Sequence, residues 1–162
     1  MSRSMRLVLI GCTGFIGREL IPQLLKGGHH LTVVSRNSLN PNLAKLQAEN
    51  KLVHLQINPA DLASWKEAIL TERFSEAEGI INLAGEPIAD KRWSPQQLKE
   101  IRNSRLNTTK ALVQTIYGMR HKPRVLVNAS AIGYYGTSLD THFSEASQAG
   151  NDFLASLCQE WE

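Results

Sequence analysis

Three glycines, Gly11, Gly14 and Gly17, follow directly on an apolar run in the stretch Leu7 to Gly17, which reads LVLIGCTGFIG. At this spacing Gly11 permits a sharp exit from a strand, Gly14 lets backbone approach a pyrophosphate, and Gly17 lets a helix pack closely on a sheet. Thr13, Phe15 and Ile16 fill the turn and open the helix, whose unpaired N–H groups and positive end suit phosphate oxygens. The chemistry implied is dinucleotide binding. Glycines alone also fit a plain turn, a flavin domain or an S-adenosylmethionine domain, so the residues around them have to decide.

About twenty residues beyond the glycine turn, where an NAD site places an Asp or Glu on the ribose hydroxyls, the chain reads Val34-Ser35-Arg36-Asn37. A guanidinium accepts no hydrogen bond from a hydroxyl but grips a phosphate with paired charge-assisted bonds, and a serine adds a hydroxyl. Ser35 and Arg36 therefore favour NADP(H) over NAD(H), against the plainer alternative of a solvated loop arginine. Arg36 also makes the flavin and S-adenosylmethionine readings the weakest. Leu83, Ala84 and Gly85 close another apolar run with small residues, at the carboxyl edge where open parallel sheets bind ligands, so their backbone should line the cofactor. Asp61 fits either an adenine edge or, slightly better, a helix cap in the turn Asn58-Pro59-Ala60-Asp61.

These residues need a scaffold, and the apolar pattern supplies one. Val-, Ile- and Leu-rich runs recur at Leu7–Ile10, Leu31–Val34, Leu52–Ile57, Gly79–Leu83 and Val125–Asn128, each followed by helical spacing. The alternation predicts an α/β fold, a Rossmann-like doubly wound parallel sheet with helices on both faces, a three-layer α/β/α sandwich. The first helix is expected from about Phe15 to Lys26, with Ile16, Leu20 and Leu24 as its apolar face, Pro22 inside it and Gly27-Gly28 as its stop. Ser94-Pro95-Gln96-Gln97 is the clearest helix start, with a cap, a first-turn proline and a glutamine three positions after the serine. Asp152 to Glu162 reads as an amphipathic helix that stops without a terminating signal. Five strands are found where this architecture usually has six, so residues 1–162 are expected to be the dinucleotide-binding domain of something longer, with the substrate-shaping part outside them.

The chain has 162 residues, 42% hydrophobic, with a formal net charge of +3. That suffices for one soluble domain with a real core. The basic clusters Lys91-Arg92 and Arg120-His121-Lys122 are short, which argues against nucleic acid as a partner. Cys12 and Cys158 stand far apart with no metal-ligand spacing, as reduced thiols do. No run reaches a membrane span and the N-terminus lacks a signal core, so a cytoplasmic location is expected. His29 and His30 fall in the turn after the first helix and His54 alternates with apolar residues; none has a carboxylate or nucleophile partner in the pattern. Trp65, Trp93 and Trp161 read as packing residues.

Taken together, GCTGFIG, SRN, NLAG, EPIADKRW, SRLNTT and SAIGYYG resemble the short-chain dehydrogenase/reductase superfamily. More narrowly they resemble its atypical epimerase-like branch, whose members are described as sugar-nucleotide epimerase-like or cell-division-inhibitor-like. The resemblance implies that Ser35 and Arg36 meet the adenosine 2′-phosphate, that Leu83 and Ala84 line the cofactor, and that Glu100 and Arg105 face it from the helix that follows. Without the resemblance, Glu100 and Arg105 read as a solvated helix face.

Catalytic members of that superfamily use a Ser or Thr and then a Tyr with a Lys four residues later. Ser130 fits the first position, but the corresponding helix, Gly150 to Cys158, contains neither Tyr nor Lys. Tyr135, next to Tyr134, is the candidate stand-in proton donor, with packing as the plainer role; without a cationic neighbour a tyrosine is a poor base at neutral pH. Glu145 resembles an acidic residue that borders the substrate site in extended members. Two functions fit: an NADP(H)-dependent epimerase or oxidoreductase acting on a small or nucleotide-linked substrate, and a non-catalytic NADP(H)-binding regulator, linked to cell division by the resemblance. A homodimer is compatible with either.

Overall fold

The computed structural model describes residues 3–69 and 71–162. Five strands form one parallel sheet: β1 (Arg6–Ile10), β2 (His30–Ser35), β3 (Leu52–Gln56), β4 (Gly79–Asn82) and β5 (Val125–Asn128), in the order β3-β2-β1-β4-β5. The order reverses between β1 and β4, the place where an open α/β sheet forms a crevice. In register, Ile10 lies beside Val34 on one side and Asn82 on the other, so the turns after β1, β2 and β4 emerge at one edge.

Both faces of the central strands β1, β2 and β4 are covered, which explains why they are continuously apolar rather than alternating, whereas β5 at the sheet edge is largely exposed. One face carries Val8, Ile10, Val34 and Ile80 and packs on α3 (Leu62–Ile69), the short α4 (Glu72–Ser75) and α5 (Pro95–Gly118) through Trp65, Phe74 and Leu112. The other carries Leu7, Leu9, Leu31 and Val33 and packs on α1 (Phe15–Lys26) and α2 (Pro41–Ala48) through Ile21 and Leu43. A single-turn 3₁₀ segment (Ile132–Tyr135) and α6 (Phe153–Trp161) follow β5, and α6 packs on that segment and on α5. This is the doubly wound three-layer arrangement expected. No helix is long and apolar enough to cross a membrane among the described residues.

Local chemistry explains the element ends. Asn40, Ser94 and Asp152 each accept an N–H bond at the start of α2, α5 and α6, from Leu43, Gln97 and Ala155. Asp61 does the same at α3, accepting from the Ala63 and Ser64 N–H groups at 3.0 and 3.3 Å and from the Ser64 hydroxyl at 2.8 Å. The capping alternative for Asp61 is therefore the one the fold uses, and the Ser64 hydroxyl chiefly holds its carboxyl below the usual range.

One expectation is corrected. The buried residues of α1 are Gly17 and Ile21, with Leu20, Leu24 and Leu25 partly buried against the same cluster, while Ile16 is 60% exposed. Leu20 and Leu24 thus face the core as expected and Ile16 does not, because the buried stripe of the helix runs through Gly17 and Ile21. Gly17 sets the phase: a Cβ there would lie 1.8 Å from the Cys12 carbonyl oxygen, so only glycine lets α1 lie this close to the strand exit.

Candidate functional site

The glycine turn leaves β1 with Gly11 at φ +72°, a conformation that favours glycine. A Cβ at Gly11 would sit 2.5 Å from the backbone of Ala84, so this glycine brings the turns after β1 and β4 into contact. Gly14 differs: a Cβ there would meet nothing in the protein closer than 3.7 Å. Packing does not require glycine at that position, and the turn is open on that side. Gly14 is also the N-cap of α1 and makes no side-chain cap bond, leaving the first-turn N–H groups without a side-chain acceptor. A backbone cradle with unfilled donors and no Cβ in the way fits a phosphate group.

The cleft built on this turn has a volume of about 230 Å³ and is lined by Gly11, Thr13 and Gly14, by Ser35, Arg36, Asn37 and Ser38 after β2, and by Leu83, Ala84, Gly85 and Glu86 after β4. Ser104 and Thr108 of α5 form its floor with Val34 and Pro59. The structure thus brings together Gly11, Thr13, Gly14, Ser35, Arg36, Leu83, Ala84 and Gly85. Phe15 and Ile16 point to solvent, 85% and 60% exposed, and Gly17 is buried in packing.

Neither Glu100 nor Arg105 lines this cleft. Glu100 is exposed and accepts from Gln96 one turn earlier at 2.9 Å, as a solvated helix face would have it. Arg105 is turned into the protein: its Nη1 donates to the Ile101 and Glu86 carbonyls, both at 3.0 Å, and its guanidinium lies 5.3 Å from the centre of the Trp161 ring. A Cβ at Gly85 would come within 2.8 Å of that guanidinium, so Arg105 is the wall behind the cleft.

Sequence reasoning missed three features of the site. The first is an amide network under the floor. Asn82, fully buried, accepts the Ala84 N–H at 3.2 Å and donates to Asn128 Oδ1 at 2.7 Å and Thr109 Oγ1 at 3.2 Å. Thr109 also accepts from Trp161 Nε1 at 3.0 Å. β4, β5, α5 and α6 are thereby tied at one point beneath Leu83 and Ala84. Two asparagines at equivalent strand ends, Asn82 and Asn128, were the available signal.

The second is Glu86, in the segment EPIADKRW. Its N–H donates to Ser104 Oγ at 2.9 Å and its carboxylate pairs with Lys91 at 2.8 Å. Lys91 holds this carboxyl below the usual range, and the charge of Arg36 acts in the same direction. The third is a partner for His54, whose Nε2 lies 2.9 Å from Ser35 Oγ. The sequence pattern offers His54 no carboxylate or nucleophile partner, and the hydroxyl it meets comes from β2, which pairs in parallel with β3 and brings together residues far apart in sequence.

Tyr135 lines a hollow whose lining does not include Ser130. Ser130, exposed two residues past β5, donates to the Glu162 carboxylate. Tyr135 stacks on Phe143 at 5.7 Å and 13°, and meets Tyr134 edge-on at 5.1 Å. It lines a second, larger hollow of about 610 Å³, mostly apolar, together with Ile88, Ile132, Leu154, Leu157 and Trp161. Arg105 borders this hollow from the other side of the cleft wall. The face that α6 presents here, Leu154, Leu157, Cys158 and Trp161, offers no ordinary proton-transfer group; burial pushes the Cys158 thiol up, away from thiolate chemistry. Glu145 is exposed and does not line the hollow. Trp65 is a packing residue, fully buried; Trp93 is 45% exposed and donates to the Ile88 carbonyl at 2.7 Å.

Residues 7–154 match the model of a protein family described as the NAD dependent epimerase/dehydratase family. The chain belongs to this family. Its relatives include the epimerase family protein SDR39U1 homolog, chloroplastic, of Arabidopsis thaliana, 37% identical across 98% of this chain and 43% of the relative. The epimerase family protein YfhF of Bacillus subtilis is 33% identical across 98% of this chain and 48% of the relative. The chain thus spans about half the length of the curated relatives it matches. Among solved structures, human epimerase family protein SDR39U1 (isoform 2) with NADPH is 30% identical, with a TM-score of 0.73, over 97% of this chain and 47% of that one. The epimerase/dehydratase fold accounts for the glycine turn, the sheet order and the cleft at the reversal point.

Proposed function

We propose that this chain is the NADP(H)-binding part of an epimerase-like protein of the atypical short-chain dehydrogenase/reductase type. One observation carries the reading: the cleft at the sheet reversal is closed at the β2 end by Ser35, Arg36, Asn37 and Ser38, with no carboxylate among them. A ribose with free hydroxyls needs an acceptor there, and a 2′-phosphate needs donors and positive charge. Gly11, Gly14 and the first-turn N–H groups of α1 would hold the pyrophosphate, Arg36 and Ser35 the 2′-phosphate, and Leu83 to Gly85 would lie along the cofactor. The NADPH in the human relative supports the same choice.

When bound, NADP(H) supplies hydride exchange with a carbonyl or hydroxyl carbon. This chain's residues would bind and orient it, with Ser130 hydrogen-bonding the reacting oxygen and Tyr135 donating a proton. The substrate is then a small or nucleotide-linked carbonyl or hydroxyl compound, shaped in part by residues that match the other half of the relatives. A cytoplasmic location and a homodimer belong to the same proposal. A non-catalytic regulator that reads NADPH, in cell division or elsewhere, has one specific observation in its favour: the pocket-facing side of α6 carries no Tyr or Lys.

Calorimetric titration of NADPH and of NADH tests the cofactor reading. Tighter binding of NADPH is expected, and equal affinities would overturn it. Oxidation of NADPH with a panel of carbonyl and sugar-nucleotide compounds, lost in Ser130→Ala, separates the enzyme from the regulator; binding without turnover favours the regulator.

A further inference from the structure

We infer that His54 is a positioning residue for the 2′-phosphate end of the cleft, anchoring the Ser35 hydroxyl from the neighbouring strand. The inference rests on the cofactor reading above and adds a residue and a regulation to it.

The geometry starts from proton counting. Ser35 Oγ lies 2.7 Å from the Asn37 carbonyl and 2.9 Å from His54 Nε2. A hydroxyl has one proton to give, and a carbonyl can only accept. The Ser35 proton is therefore on Asn37, Oγ accepts from the imidazole, and Nε2 carries the hydrogen. Two residues along β3 and on the same strand face, Gln56 Nε2 donates to the Arg36 carbonyl at 3.3 Å. One face of β3 thus pins two consecutive residues of the cleft lining, Ser35 by its side chain and Arg36 by its backbone.

The arrangement also allows a change of acceptor. An anionic oxygen entering beside Ser35 can take the hydroxyl proton from Asn37 while the His54 N–H stays on Oγ, and donation from behind strengthens the bond in front. A protonated imidazole keeps the same Nε2–H and adds positive charge one hydrogen bond away from the anion. The other charged groups on surrounding elements are Arg36 after β2, Lys45 on α2, which packs against β3, and the mutually paired Glu49 and Lys51 just before β3. None of them shifts the ring; burial alone holds it below its ordinary value. An anion close by favours the charged imidazole, so binding and protonation reinforce each other, and preference for the phosphorylated nucleotide rises as pH falls.

The test is titration of NADPH and NADH into the wild type, His54→Leu and His54→Gln at about pH 8 and about pH 6, either side of the histidine range. At the higher pH, His54→Leu should lower the NADPH-to-NADH affinity ratio by about fivefold, the worth of one modest hydrogen bond, with NADH affinity unchanged. His54→Gln, which keeps a donor, should hold the ratio at the higher pH but lack the wild type's further rise at the lower one. The 2′-phosphate gains its own proton in this range, and that effect is common to all three proteins. A ratio left intact in His54→Leu, or equal weakening of both nucleotides, overturns the inference alone. Failure of the wild type to bind either nucleotide overturns the cofactor reading and this inference with it.

Discussion

The guanidinium of Arg105 lies 5.3 Å above the ring of Trp161 while its Nη1 bridges the carbonyls of Ile101 and Glu86. Helix α5, the segment after β4 and helix α6 therefore meet at one side chain, just behind Gly85. Arg105→Gln loses the stacking and the bond to the Glu86 carbonyl, while the Ile101 carbonyl keeps the Ser104 hydroxyl as a donor, a cost of about 2 kcal/mol. Urea denaturation should show that loss, while NADPH affinity changes much less. A large fall in affinity at unchanged stability would return Arg105 to the cofactor-facing role that the resemblance implied.

Much of the fold was legible because β1, β2 and β4 are buried on both faces and so read as continuous apolar runs, while β5, though largely exposed, keeps the same Val and Leu composition. The glycine turn and the Ser35-Arg36 segment were legible for a different reason: each is contiguous, so its chemistry is written in one short stretch. What stayed hidden depends on pairing across the sheet. His54 reaches Ser35 diagonally across the β2–β3 pair, and Asn82 meets its register partner Asn128, only because parallel strands bring them together. On α1, apolar spacing places Leu20 and Leu24 correctly and only Ile16 wrongly, because Gly17, which contacts Cys12 backbone, begins the buried stripe and apolar spacing gives glycine no weight.

Gly14 and Gly17 should separate binding from folding. Gly17→Ala drives a methyl into the Cys12 carbonyl, and overpacking against backbone should cost about 3 kcal/mol or more, seen as a large drop in the urea midpoint. Gly14→Ala meets no protein atom within 3.4 Å and should cost no more than about 1 kcal/mol at the helix cap. Its effect should fall on NADPH, with affinity reduced about tenfold or more by a methyl in the phosphate cradle. Normal NADPH binding by Gly14→Ala would remove the cradle assignment.

Cys12 is fully buried, and burial pushes its thiol up to about 12 from the ordinary 9.0. The native state thus keeps its proton where the unfolded chain loses it. The resulting stability is present in full below pH 9.0 and is lost as pH rises toward about 12. The slope from this one group approaches roughly 1.4 kcal/mol per pH unit in that window. Unfolding free energies measured from neutral to alkaline pH should therefore fall more steeply for the wild type than for Cys12→Ala. Parallel curves would show that the thiol ionises equally in both states.

Arg36→Asp should reverse the nucleotide preference. On the proposed cofactor reading, the substitution removes the guanidinium assigned to the 2′-phosphate and sets a carboxylate in its place, where ribose hydroxyls would find an acceptor. Loss of one charge-assisted pair is worth about 1.5–3 kcal/mol, which corresponds to about a 10- to 100-fold weaker NADPH complex. NADH should bind at least as tightly as before, because its hydroxyls gain an acceptor. Glu86, which also lines the cleft, makes the change sharper: in the wild type the positive charge of Arg36 adds a little to the larger effect of Lys91 in holding this carboxyl down, and in the variant a second carboxylate would stand in the same cleft. Titrations of both nucleotides into both proteins decide the matter, and unchanged discrimination would show that Arg36 is a solvated loop residue.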